Sequence, residues 1–126
     1  MKKLCLVLYV FGKKYQEFIP LFLLSVFKLY PDYGVRIYLD GELLPVIKEN
    51  LEIMRDYDYK IIENYKMDDG LTKKAESFDQ IQKCRRWYIY DDDFKNYEAI
   101  YIGDVDIFFC PEKTELFDVY RGKQIP

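Results

Sequence analysis

Leu4 to Phe11 (LCLVLYVF) is an unbroken apolar run of eight residues, far short of the roughly 20 needed to span a bilayer. A short, continuously apolar run is what a central strand looks like when a parallel sheet is covered on both faces. Lys2 and Lys3 ahead of it mimic the start of a secretory leader. The run, however, passes directly into Gly12-Lys13-Lys14 with no small-x-small cleavage pattern, so it reads as a buried first strand.

The rest of the chain is punctuated in the same style. From Ile19 to Tyr30 it is apolar almost all round, with Pro20 suited to a first helical turn and Pro31 to a stop, which predicts a buried helix. Val35, Ile37 and Leu39 alternate with Arg36 and Tyr38 as a second strand ending at Asp40-Gly41. Leu43, Ile47, Leu51 and Met54 recur at helical spacing, with Lys48, Glu49 and Glu52 outside. A short strand is expected over 59–62, a loop over 64–70 and a third helix over 72–90. Asp91-Asp92-Asp93 closes that helix as a solvated loop, because consecutive carboxylates point in different directions. A fourth strand over 99–102, an apolar stretch ended by Pro111 and a short helix over 116–120 complete the series. Alternating strand and helix argues for one parallel α/β domain with helices flanking the sheet.

Composition narrows the chemistry. The chain has 126 residues and a formal net charge of -3, which gives no global attraction to nucleic acid or to an anionic membrane. It contains no histidine, so histidine acid-base catalysis, triads and histidine metal sites are all excluded. Cys5, Cys84 and Cys110 are odd in number and widely spaced, without the paired spacing of zinc or redox sites. A reduced, cytoplasmic setting and a soluble protein are therefore expected.

Carboxylates, lysines, arginines and tyrosines are left to carry any reaction. Tyr101-Ile102-Gly103-Asp104-Val105-Asp106-Ile107-Phe108-Phe109 places two aspartates in an apolar stretch. In extended chain the side chains of i and i+2 share a face, so Asp104 and Asp106 point the same way near the end of a strand. Two desolvated carboxylates repel, and a divalent cation between them removes that cost. Mg²⁺ and Mn²⁺ use one or two carboxylates together with substrate phosphates, so the pair reads as an anchor for a metal and a diphosphate. The competing reading is a turn whose aspartates bond backbone amides. A calcium loop is excluded, since Ile107-Phe108-Phe109 stands where glycine and further oxygen ligands belong.

The order of elements and several phrases resemble the nucleotide-binding half of a GT-A type glycosyltransferase. The residues that carry the resemblance are Tyr15, Pro20 and Ser25, then Arg86-Trp87, then Tyr101-Ile102-Gly103-Asp104-Val105-Asp106. It covers most of the chain and is strongest from Arg86 to Phe109. It implies a Rossmann-like GT-A fold in which the first strand and its loop hold the base and ribose of a nucleotide-diphospho-sugar. Asp104 and Asp106 would bind Mn²⁺ or Mg²⁺ bridging the diphosphate, with Asp104 also contacting substrate. Arg86 would contact the diphosphate or the sugar through its guanidinium fork, with Arg85 as the alternative; a salt bridge from Arg86 to a carboxylate such as Asp104 is the structural alternative. Tyr15 would stack on the base, or else simply pack. The acceptor would be a hydroxyl of a glycan, a lipid-linked group or another molecule. Family members carry a second half that supplies the acceptor pocket, any base and often a further metal ligand, frequently histidine. That half and a histidine are missing here, so the chain is expected to be either a fragment covering the donor-binding half or a short protein that does not complete the reaction alone.

Two other classes use similar residues. Phosphoryl or nucleotidyl transfer also employs paired aspartates with a divalent metal, although an aspartyl nucleophile belongs after the first strand and no phosphate-binding glycine loop is present. A non-catalytic nucleotide-sugar-binding or interaction domain is the third reading.

Overall fold

A computed structural model of the protein describes residues 2–65, 87, 89–112, 115 and 118. Its centre is a four-stranded sheet in which every pairing is parallel, in the order β3-β2-β1-β4. The strands are β1 (Lys2–Phe11), β2 (Gly34–Asp40), β3 (Tyr59–Ile62) and β4 (Tyr97–Gly103). The first strand occupies an interior position, as its continuous apolar run requires, and Cys5 to Leu8 are at most 1% exposed. Such burial on both faces is stable only where helices or loops cover the sheet on each side.

Between β1 and β2 lie α1 (Lys13–Gln16) and α2 (Ile19–Leu29). Pro20 sits in the first turn of α2, where its missing N–H costs nothing. The helix buries Ile19, Phe22, Leu23, Val26 and Phe27 against Leu6, Leu8, Val10, Val35, Ile37 and Leu39 of the sheet. At about 1.5–3 kcal/mol for each fully buried large apolar side chain, this contact dominates the packing of that face. The helix is not buried all round: Leu21 and Leu24 are about half exposed. After β2 come α3 (Pro45–Asn50) and a 3₁₀ turn over Glu52–Met54, and they add Ile47, Leu51 and Met54 to the same core.

The second face is smaller and aromatic. Cys5, Val7, Tyr38, Ile89 and Tyr97 form its buried centre, with Tyr9, Ile62, Tyr65, Phe94 and Ile102 packed around them. In a parallel pair, residues in register share a face, and the register sets Val7 beside both Arg36 and Ile102. Consequently Arg36 and Tyr38 are 3% and 1% exposed. The alternation in β2 separates two covered faces; it does not divide a core face from a wet one.

The strand expected over 59–62 coincides with β3. The third helix expected over 72–90 falls outside the described residues except for Trp87, Ile89 and Tyr90, and of the short helix expected over 116–120 only Asp118 is described. Among the described residues no helix is long and apolar enough to cross a membrane.

Candidate functional site

Strands β2 and β3 extend the sheet on one side of β1, and β4 lies on the other. The chain's progression therefore reverses direction between β1 and β4. In open parallel sheets the loops leaving adjacent strands diverge at such a point and open a crevice beyond the carboxyl ends. Here the bordering loops are the one after β1, which begins at Gly12, and the one after β4, which begins at Asp104.

Gly12 has φ +82°, a backbone conformation that an L side chain rarely adopts. It lets the chain leave β1 sharply and enter α1, on which Lys13, Lys14 and Tyr15 are exposed. Tyr15 is 42% exposed. Its ring stands 6.2 Å from that of Phe11 on one side and 6.2 Å from that of Phe18 on the other, and Phe11 in turn lies 6.4 Å from Tyr9. Packing therefore orients the ring while one part of it stays open to solvent.

Asp104 and Asp106 lie just past β4, in a turn beyond the strand itself. Between them Val105 is 6% exposed and belongs to the main core, whereas both aspartates are exposed. One inward valine thus leaves the two flanking carboxylates at the surface. This corrects the expectation that the pair is desolvated. Further along, Phe109 N–H donates to Ser25 Oγ at 3.2 Å, and the Phe109 ring meets those of Phe22 and Tyr30 edge-on at 6.0 and 6.2 Å. The turn is accordingly pinned to α2 at its far end and to the core at Val105.

Among the described residues, no group of three or more His, Cys, Asp or Glu side chains is placed to hold a metal ion. Two outward carboxylates supply hard oxygen donors but leave most of an octahedral shell to other ligands. That donor set fits Mg²⁺ or Mn²⁺ held jointly with phosphate oxygens and water. Arg86 and Arg85 lie outside the described residues.

A second charged cluster, which the sequence reading passed over, sits at the opposite edge of the sheet. Arg36 Nε donates to Asp93 Oδ2 at 2.7 Å, Nη1 lies 3.0 Å from Asp58 Oδ1, and Nη2 donates to Tyr97 Oη at 2.9 Å. Tyr97 Oη donates to Asp58 Oδ2 at 2.5 Å, and Lys2 Nζ reaches the same oxygen at 2.6 Å. Lys2 and Tyr97 open β1 and β4, Asp58 immediately precedes β3, and Asp93 lies in the 3₁₀ turn Asp92–Asn96 before β4. The cluster thus ties together the amino ends of the strands. The aspartate triplet follows Ile89 and Tyr90, which are not helical, and leads into a 3₁₀ turn. Asp91 caps the 3₁₀ turn by accepting from Asp93 N–H at 2.9 Å and from Tyr38 Oη at 3.2 Å, while Asp92 stays exposed.

The charges in this cluster stabilise one another. Burial opposes the Arg36 charge, but the hydrogen bond to Asp93 and the nearby Asp58 outweigh it, and the Arg36 pKa is raised. The hydrogen bond from Arg36 is the main reason that the Asp93 pKa is lowered. For Asp58, burial pushes upward, yet hydrogen bonds from Lys2 and Tyr97 together with Arg36 leave it lowered. Ligands of open α/β sheets bind at the other edge, so this cluster is read as a structural clamp. An arginine in a strand and a distant aspartate triplet were the only signals of it in the sequence.

No protein-family model matches the chain, and no curated protein matches it.

Proposed function

We infer that the protein binds a nucleotide-diphospho-sugar as the donor-binding part of a GT-A type glycosyltransferase. The observation that carries this reading is the position of the Asp104-Val105-Asp106 turn. It lies immediately past the carboxyl end of β4, the strand that pairs with β1 where the strand order reverses. Placement after β4 also disfavours an aspartyl-nucleophile phosphatase, which needs its aspartates after the first strand.

In this reading Asp104 and Asp106 hold Mn²⁺ or Mg²⁺ against the donor diphosphate. When bound, the metal supplies charge neutralisation for a departing nucleoside diphosphate. The chain's own residues do the positioning. Val105 anchors the turn in the core and so fixes the direction of both carboxylates. Tyr15, held between Phe11 and Phe18, offers the exposed part of its ring to a base. Arg86 remains the proposed contact to the diphosphate or sugar. The acceptor is a hydroxyl compound.

The test is thermal protection and calorimetric titration with a panel of nucleoside diphosphates and their sugar conjugates, with and without Mn²⁺. Ligand at 100 times Kd stabilises by about 2.7 kcal/mol, a readily measured rise in Tm. Asp104→Ala and Asp106→Ala are each expected to abolish the Mn²⁺-dependent part of the binding. Unchanged metal-dependent affinity in both variants would refute the assignment, and protection by phosphomonoesters alone would redirect it to phosphoryl transfer.

A further inference from the structure

Among the described residues the buried polar or charged side chains are Gln16 and Arg36. Arg36 belongs to the clamp at the amino edge. Gln16 lies at the carboxyl edge, 4% exposed, at the end of α1. Its amide is used at both ends: Nε2 donates to the Glu42 carbonyl at 2.8 Å, and Oε1 accepts from Leu44 N–H at 2.9 Å. Both partners belong to the loop after β2, so one side chain from the loop after β1 closes a two-point contact with the next loop.

The loop after β2 is held from its other side as well. Leu43 N–H donates to Glu63 Oε1 at 2.7 Å, and Asn64 N–H donates to the Gly41 carbonyl at 2.8 Å. Three successive loops, those after β1, β2 and β3, are therefore stitched into one rim through residues 41–44. On the β1 side the described stitches are the two hydrogen bonds of Gln16. A buried amide that loses both partners is penalised, so the contact closes in one register only.

We propose that Gln16 is a positioning residue of the ligand-facing rim: it latches the loop after β1 to the loop after β2 and so holds Lys13, Lys14 and Tyr15 in a fixed placement. Gln16 and Tyr15 are successive residues of a single helical turn, one buried and the other open. Releasing the first frees the second. The consequence for nucleotide affinity rests on the glycosyltransferase reading; the consequence for loop order does not.

The experiment is timed tryptic digestion of the native chain with mass-spectrometric quantification of cleavage after Lys13 and Lys14. Cleavage after Arg36, buried within β2, reports global opening. Gln16→Leu removes both hydrogen bonds at similar volume. It is expected to speed cleavage after Lys13 and Lys14 about thirtyfold, the loss expected from two hydrogen bonds that resist local opening, and to leave cleavage after Arg36 unchanged. Gln16→Glu keeps the acceptor for Leu44 N–H and is expected to fall between. Wild-type cleavage rates after Lys13 and Lys14 in Gln16→Leu overturn the proposal. Should cleavage after Arg36 accelerate in step, the variant has unfolded globally and Gln16→Glu decides: selective acceleration after Lys13 and Lys14 supports the latch, and wild-type rates overturn it. In parallel, UDP, GDP, ADP and CDP are titrated with Mn²⁺. Loss of affinity in Gln16→Leu together with faster cleavage links the latch to the site. Absence of binding by the wild type refutes the nucleotide reading, and the latch is then judged by cleavage alone.

Discussion

Replacing Arg36 with methionine removes the guanidinium and keeps an apolar stem of similar length. Three groups lose one partner each at once: Asp93 at 2.7 Å, Asp58 at 3.0 Å and Tyr97 Oη at 2.9 Å. Removing one member of a buried ion pair costs about 3–5 kcal/mol, because the other charge is left uncompensated. The Asp58 and Asp93 side chains keep 21% and 23% of their exposure and Asp58 retains Lys2, which places the cost at the lower end, about 3 kcal/mol. For a domain of this size about 1 kcal/mol moves Tm by roughly 3–5 °C. Arg36→Met should therefore melt about 9–15 °C below wild type at pH 7.

The same geometry fixes a pH dependence. Asp58 and Asp93 have folded-state pKa values below their ordinary value of 3.8. The unfolded chain then binds protons first as the solution is acidified. The stability they contribute is complete above the ordinary value and is lost as pH falls through the lower folded values. The gap between wild type and Arg36→Met should accordingly be constant from pH 5 to 7 and narrow below about pH 4. Thermal melts by circular dichroism across pH 2.5–7 measure both quantities. A Tm for Arg36→Met within about 2 °C of wild type at pH 7, or a gap that does not narrow in acid, would refute the clamp.

Two further outcomes are expected. A Cβ at Gly34 would fall 2.6 Å from Tyr97 Cε1, so Gly34→Ala should displace the Tyr97 ring from the clamp and destabilise by about 1–3 kcal/mol, seen as a lower denaturation midpoint in urea. Burial pushes the Cys5 thiol up to about 12 and leaves it without solvent access, whereas Cys110 is exposed. Iodoacetamide at pH 8 should alkylate Cys110 in the native protein and reach Cys5 only after denaturation, as read by peptide mapping.

Elements whose signal is local were legible in the sequence, and those that depend on long-range pairing were not. The β1 run announced a two-faced interior strand, Pro20 and Pro31 bracketed α2 closely, and β3 fell where its apolar residues stood. The surroundings of Arg36 and Tyr38 were not legible, because alternation looks identical whether the second face meets water or a second core. What covers that face is supplied by Tyr65, Ile89, Phe94 and Tyr97, all well separated from β2 in the chain. The aspartate triplet was read as one solvated unit for the same reason, since Asp93 acquires its partner from 57 residues away. Gln16 gave no signal at all: a glutamine between Tyr15 and Glu17 looks like surface until the β2 loop is folded against it.

The two edges of the sheet manage charge in opposite ways, and this sharpens the reading of Asp104 and Asp106. At the amino edge, Arg36 is buried and every nearby carboxylate is matched by a cation or a hydroxyl, as a permanent structural element requires. At the carboxyl edge, the aspartates are turned outward by the single inward side chain of Val105. Exposed carboxylates carry little desolvation cost and do not need a resident metal to make the fold stable. Under the proposed reading they would supply part of a metal shell completed by a ligand's phosphates and water. A permanent metal centre would instead call for several inward-facing donors. The outward pair is thus compatible with the proposed reading, in which a metal would be shared with a bound diphosphate.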